Sequence, residues 1–274
     1  MKKYFLLLAV LLLSAACGND KKAAQSCLEE ARNLYENAQY GSAKQVLDQL
    51  KGKYPKEFEV QRNALHLKHA IEIKEQERNL VYSDSLMQVR RAQADSMKSH
   101  FVFVKDPQYD RIGRYIDKAY NPPVDAGGNH IAINVNENGE IALSSVYRGA
   151  SAIKHNQLKV TAPSGESAET EAISFDGGAN YSFQDSAGTI YEIVTYQKGR
   201  DKDVLSFIYN CANNQLTMEL VGKKKIRQIL SVKEKQAVVK TVDLAVILTD
   251  IERLEKEKEK AEKRLEYLYS KEQN

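Results

Sequence analysis

The C-terminal part of this chain constrains its fold most. Leu244, Ile247, Ile251, Leu254, Ala261, Leu265 and Leu268 recur at three- and four-residue spacing, the interval at which one face of an α-helix returns. Lys258 is the single polar interruption, and the flanking positions are rich in Glu and Lys. Ser231 and Glu234 fit a capping box, in which each side chain answers an orphan N–H at a helix start. The pattern predicts a helix over 231–270 carrying a coiled-coil seam. Such a seam needs a partner, because each fully buried Leu is worth about 1.5–3 kcal/mol. One partner is residues 56–99, which would make an antiparallel stalk with the intervening chain as an insertion. The other is a second copy of the chain, a homodimer through the coiled coil. The first is preferred, because the two helical stretches flank the middle of the chain and are similar in length.

Residues 56–99 read as one long, highly charged helix with a kink near Tyr82-Ser83. Val60, Ala64, Leu67 and Ile71 mark one stripe, and Leu80, Met87 and Ala94 a later one at heptad spacing. Ahead of it, Cys27, Ala31, Leu34 and Tyr35 follow helical spacing up to the break at Tyr40-Gly41. A second helix carries Ala43, Val46, Leu47 and Leu50 and stops near Tyr54-Pro55. Ala31, Tyr40, Ala43, Leu47 and Pro55 match the small, aromatic and terminal-Pro positions of one tetratricopeptide repeat. This hairpin resembles such a repeat, with Cys27 and Glu30 departing from its large apolar positions. A single repeat makes no peptide groove, since stacking needs about three, so a hairpin packed on the next helix is expected.

Around His100 the period changes. Phe101–Val104 reads as a strand, and 109–120 as either a short helix or a strand. Ile131, Ile133 and Val135 alternate up to Asn138-Gly139, the favoured two-residue hairpin turn, and Ile141, Leu143 and Tyr147 come back. Tyr181/Phe183 and Ile190–Tyr196 are joined through Asp185–Gly188. Leu205/Phe207/Tyr209/Cys211 and Leu216/Met218/Leu220 are joined through Asn213-Asn214. Leu158/Val160 and Ala172–Phe175 read as short strands. So many short strands point to an antiparallel sandwich or open barrel.

The N-terminus has three parts: Lys2 and Lys3, an apolar run from Phe5 to Leu13, and Ser14-Ala15-Ala16 before Cys17. Charge, a short apolar stretch and small residues before a cleavage point describe a secretory signal. The placement of Cys17 resembles the lipobox of bacterial lipoproteins, with Ser14 where Leu is commoner. The resemblance covers the first seventeen residues. It implies cleavage before Cys17 and acylation of that residue, so the partner it implies is a membrane, reached through a lipid anchor. Gly18 after the cysteine implies an outer-membrane destination. The weak acidic character of 18–22 favours the periplasmic face over surface display. An oxidising envelope would permit a disulfide between Cys27 and Cys211, and free thiols are an equal alternative.

The net charge of +3 includes the two signal lysines, so the mature chain has no strong field to gather nucleic acid. His66, His69 and Glu72 share a helix face, but no third catalytic ligand is evident and no metal site is assigned. Asn134, Asn136, Asn138 and Gly139 imitate the start of a calcium loop, but Ser145 stands where the final Glu should be. Asp125, Gly127, Gly128 and Asn129 form one glycine-rich loop, and Asp176, Gly177, Gly178 and Asn180 another. They are tight turns first and candidate ligand-binding loops at one end of the β-domain second. Lys223–Lys225 with Arg227 reads as a solvated turn. There is no Gly-x-Ser-x-Gly and no recognisable Cys–His signature, so no catalytic residue and no cofactor is assigned.

The expected fold class is α+β. Its parts are a signal peptide over 1–16, a lipidated tether over 17–24, and a helical hairpin with a long helix over 25–99. An antiparallel β-domain over 100–230 and a C-terminal coiled-coil helix over 231–270 complete it. The expected function is a non-catalytic envelope lipoprotein that presents its β-domain on a helical stalk to a protein or envelope component. A sugar- or peptide-binding β-sandwich is the alternative, and an envelope hydrolase ranks third.

Overall fold

In a computed structural model of the protein, residues 20–123 and 125–272 are described. The signal segment, Cys17 and the start of the tether lie outside them. The fold is mixed α+β, with five helices and two antiparallel sheets among the described residues. The chain divides into two compact units, one of residues 20–85 with 255–272 and one of residues 86–254.

The first unit is helical. Helix α1 covers residues 20–36, α2 Tyr40–Lys53, and α3 begins at Phe58 and runs to Lys98. Residues 20–24, read as tether, already belong to α1, because Ala24, Leu28 and Ala31 form a stripe that is buried in the helical core. Ala43, Leu47 and Leu50 of α2 and Val60, Ala64 and Ile71 of α3 complete that core. Small residues at 24, 31, 43 and 64 let the helices approach closely. Tyr40 fills the remaining gap, its ring 5.9 Å from Tyr35. Gln61 fastens the α2–α3 turn by donating Nε2 to the carbonyls of Leu50 and Tyr54.

The C-terminal part of α5, Val232–Glu272, packs on α3 in this unit. Ile73 and Leu80 meet Leu265 and Leu268. Lys258, the break in the stripe, reaches Asp84 at 2.8 Å. Lower numbers on one helix meet higher numbers on the other, so the pair is antiparallel. The two stripes on α3 have a simple cause. The first packs on the hairpin and the second on α5, so the apolar face must turn when its partner changes. Helix α3 is continuous through Tyr82-Ser83.

The second unit holds the sheets. The larger comprises β1 (Phe101–Val104), β2 (Arg114–Asp117), β3 (His130–Asn136), β4 (Ile141–Gly149), β7 (Asn180–Gln184) and β8 (Ile190–Tyr196), in the order β1-β2-β3-β4-β8-β7. The smaller comprises β5 (Gln157–Thr161), β6 (Ser167–Glu169), β9 (Thr217–Val221) and β10 (Lys225–Ile229), in the order β10-β9-β5-β6. Ile131, Ile133, Leu143, Val194 and Tyr196 from one sheet share a core with Leu158, Val160, Met218 and Leu220 from the other. Two sheets closed over one core make a sandwich rather than an open barrel. Ala94 and Phe101 pack with Leu244, Ala245 and Leu248 of α5, so the seam finds a partner within the chain here too.

Three sequence readings are corrected. Residues Val204–Asn210 form helix α4, not a strand; Val204, Leu205 and Ile208 are the buried positions, at helical spacing. Ala172–Phe175 is not a strand, and within it only Ile173 is buried. The lysine cluster is a turn only in part: Lys223 and Lys224 lie in the bend between β9 and β10, but Lys225 and Arg227 lie on strand β10 with Arg227 directly opposite Glu219. Both basic groups pair with that carboxylate. The capping box is present: Glu234 N donates to Ser231 Oγ at 3.2 Å, and Ser231 N to Glu234 Oε2 at 2.7 Å.

Candidate functional site

On β4, Leu143, Ser145 and Tyr147 alternate onto the face that meets the smaller sheet, and on β8 Glu192, Val194 and Tyr196 do the same. Ser145 pairs with Val194 across the ladder, so Glu192 and Tyr196 lie on its two diagonals. The chain leaves β4 at Gly149 and folds back, and His155 enters the same core. Its Nε2 stands 3.1 Å from Ser145 Oγ and its Nδ1 3.0 Å from Glu192 Oε2. Tyr196 Oη is 3.4 Å from Ser145 Oγ.

Serine, histidine and carboxylate stand here in the order of an acyl-transfer triad. Their surroundings decide what they do. Relative exposure is 0% for Ser145 (the hydroxyl-bearing residue), 1% for His155 and 3% for Glu192, so the cluster is closed to solvent. Glu192 also accepts the backbone N–H groups of Ile153, Lys154 and His155, each at 2.8 Å. Burial pushes the Glu192 carboxyl up, but the hydrogen bonds from the His155 ring and from the backbone outweigh it and hold the group below the usual range. Burial pushes Tyr196 up to about 12. The cluster stitches residues 153–155 to β8. Nothing local marks it in the sequence, since its members are scattered over 145, 155 and 192.

The larger sheet offers a more accessible feature at its edge. Among the described residues β1 pairs with β2 alone, which leaves one row of its backbone groups open. Its sequence, Phe-Val-Phe-Val, carries no charge, and Val102 and Phe103 are 40% and 47% exposed. The Phe103 ring lies over Gly113, where an added Cβ would come within 2.2 Å of it, and sits 5.0 Å from the Tyr115 ring. Tyr109 and Ile112, in the β1–β2 connection, are also exposed. An uncharged edge strand with apolar neighbours is a template for another chain unless something covers it. The Phe101–Val104 run was visible in the sequence, but its edge position was not.

The two glycine-rich loops do not converge. Asp125, Gly127, Gly128 and Asn129 lead into β3 at His130, which pairs with Val146 of β4. Asp176, Gly177 and Gly178 lead into β7 at Asn180, which pairs with Val194, itself opposite Ser145 of β4; β4 and β8 stand between the two strands, which run in opposite directions, so the loops that precede them leave the sheet opposite ways. Each has turn chemistry of its own. Asn129 Oδ1 accepts Arg148 N, and Asp176 Oδ1 accepts Gly178 N and Asn180 N. Backbone hydrogen bonds, those of Asn180 first, hold the Asp176 carboxyl below its usual range. Buried Asn180 donates to Ile173 O. The second loop also borders a shallow recess that includes Thr195, Lys198 and Arg200.

His66, His69 and Glu72 line a groove of the helical unit with Lys68 and Tyr267, but Glu72 is paired with Arg264. Among the described residues no group of three or more His, Cys, Asp or Glu is placed to hold a metal ion. Asn136 Oδ1 accepts Asn138 N and Glu140 N, so the calcium-like run is occupied in closing its own hairpin. Cys27 and Cys211 are free thiols, each packed against the core of its own unit. No described helix is long and apolar enough to cross a membrane. Comparison with family models, with curated proteins and with solved structures found no match to this chain.

Proposed function

We propose that the protein is a cell-envelope lipoprotein, acylated at Cys17 and held on the periplasmic face of the outer membrane, whose β-domain binds a protein or an envelope component without catalysing a reaction. The observation that carries the binding role is the uncharged edge strand β1 with exposed Val102 and Phe103. Strand addition at such an edge gains main-chain hydrogen bonds and places alternate side chains in register. The anchor rests on the lipobox-like run that ends at Cys17.

Two measurements test this reading in intact cells. Palmitate labelling is expected in the wild type and absent in Cys17→Ala; label retained in the variant removes the anchor. A photo-crosslinking residue at Val102 is expected to capture one discrete partner, and one at exposed Lys198 is not. Phe103→Asp should abolish the Val102 adduct. Equal adducts at both positions, or none, overturn the binding role.

A second reading, an envelope hydrolase, draws on Ser145, His155 and Glu192. A serine-directed phosphonate that labels wild type but not Ser145→Ala would establish it. The complete burial of Ser145 favours the first reading.

A further inference from the structure

We infer that the end of the helical unit where α1 begins, α2 ends and α3 begins is a membrane-contact surface that lies against anionic lipid headgroups. The inference rests on the reading of Cys17 as the acylated residue and adds a second, non-covalent attachment beside it.

Chain length places this end. Helix is present from Asp20 onward, three residues after Cys17. At no more than about 3.6 Å per residue, an anchored Cys17 keeps Asp20 within about 11 Å of the lipid. Topology brings the other segments there. Helices α1, α2 and α3 run up, down and up, so the start of α1, the end of α2 and the start of α3 share one end. The Lys21–Glu59 ion pair at 3.6 Å and the hydrogen bonds from Gln61 to Leu50 and Tyr54 confirm that they meet.

The chemistry of this end suits a lipid surface. Lys21, Lys22, Lys51, Lys53 and Lys56 face three acids, Asp20, Glu57 and Glu59, and one of those acids is occupied by Lys21. Lys22, Lys53 and Lys56 are exposed and make no ion pair among the described residues. Among these lysines stands Phe58, 79% exposed, the first residue of α3. A single aromatic ring in water costs free energy that the packing of this unit does not recover, and a headgroup boundary would recover it. The field of an anionic membrane fades within about 8 Å at physiological ionic strength, so lysines tethered this close are the ones it acts on.

The test uses the chain from Gly18 onward, which has no acyl group and contains every described residue. It is expected to co-sediment with vesicles of equal parts phosphatidylcholine and phosphatidylglycerol, weakly with phosphatidylcholine alone, and less as salt is raised. Lys53→Glu with Lys56→Glu should lower binding by at least about tenfold. The protein has no tryptophan, so Phe58→Trp reports alone. Its emission should shift to the blue on mixed vesicles, while Leu65→Trp, also exposed, should not shift. Equal binding to both vesicle types, or no shift at Phe58→Trp in a folded protein, overturns the inference. Either failure leaves palmitate labelling at Cys17 intact, and loss of that label leaves the vesicle result readable, so the two readings fail separately.

Discussion

The Glu234 side chain of α5 accepts the backbone N–H of Ile131 on β3 at 3.1 Å, across more than a hundred residues of chain. Strand β2 pairs with β3 only near Asn136 and Val135, so toward Ile131 the strand has an open side, which this carboxylate closes. One residue thus caps a helix and completes a sheet. Glu234→Ala leaves Ile131 N and Ser231 N without their acceptor. The buried Ile131 N–H left orphaned costs about 1–3 kcal/mol and the lost helix cap at exposed Ser231 about 1 kcal/mol, so a loss of roughly 2–4 kcal/mol is expected in denaturant unfolding. Ser231→Ala, which removes only a cap, should cost about 1 kcal/mol.

Glu192 predicts an acid-sensitive sandwich. Its folded-state carboxyl is held below the ordinary 4.5, so it binds protons less readily folded than unfolded. Its contribution is complete above the unfolded value and is lost as pH falls through the folded one. Glu192→Ala, which strands three amides and the His155 ring, is expected to cost roughly 3–5 kcal/mol and to flatten stability against pH in that window. An unchanged acid limb would remove this assignment.

His130 predicts a second, milder slope. It is 6% exposed, its Nδ1 faces Gly128 O, and its buried Nε2 has no partner. Burial outweighs that carbonyl and Glu234 and pulls the ring below 6.5. The neutral ring is therefore favoured in the folded state. Its contribution is full above the unfolded value of 6.5 and declines as pH falls through the folded one. His130→Gln should flatten unfolding stability across this range, and a ring resonance titrating at the ordinary value would contradict the assignment.

Gly139 has two reasons to be glycine. Its φ is +82°, as the hairpin turn requires. An added Cβ would also lie 2.7 Å from Ala245 O and 2.8 Å from Thr249 N of α5. Gly139→Ala should cost more than the roughly 1 kcal/mol of backbone strain alone. Gly165, at φ +91° with open space around it, is the control: Gly165→Ala should show the strain only.

Pairing of α3 with α5 inside one chain is tested by cysteines at Ile73 and Leu268, which share a core, in a Cys27→Ser, Cys211→Ser background. The expected product is a monomeric cross-linked species, and dimers alone would contradict the in-chain pair.

How much of this was legible depended on the length of each pattern. The α5 stripe is long, so period and cap agreed with the structure. The segment 204–211 is short, and over seven residues a period of two and a period near four select overlapping positions. Leu205 satisfies both, and the outcome was set by burial of Val204 and Ile208, a tertiary matter. Strand β10 was hidden because Lys225 and Arg227 look like a solvated turn until Glu219 is known to lie opposite. The Ser145–His155–Glu192 cluster and the Glu234–Ile131 bond join residues remote in sequence, and no local pattern announces them. For the same reason the two glycine loops could be recognised as turns but not assigned to strands that lie apart and run in opposite directions.

The change of partner along α3 also bears on how the chain is made. The hairpin core needs only residues 24–71, so it can close early in synthesis. The second stripe, from Leu80 to Ala94, waits for Leu244 through Leu268, well over a hundred residues later. Contacts so far apart in sequence form slowly. Until then this apolar row stays uncovered while the sheets assemble, so a chain stalled before α5 emerges is the form most exposed to proteolysis.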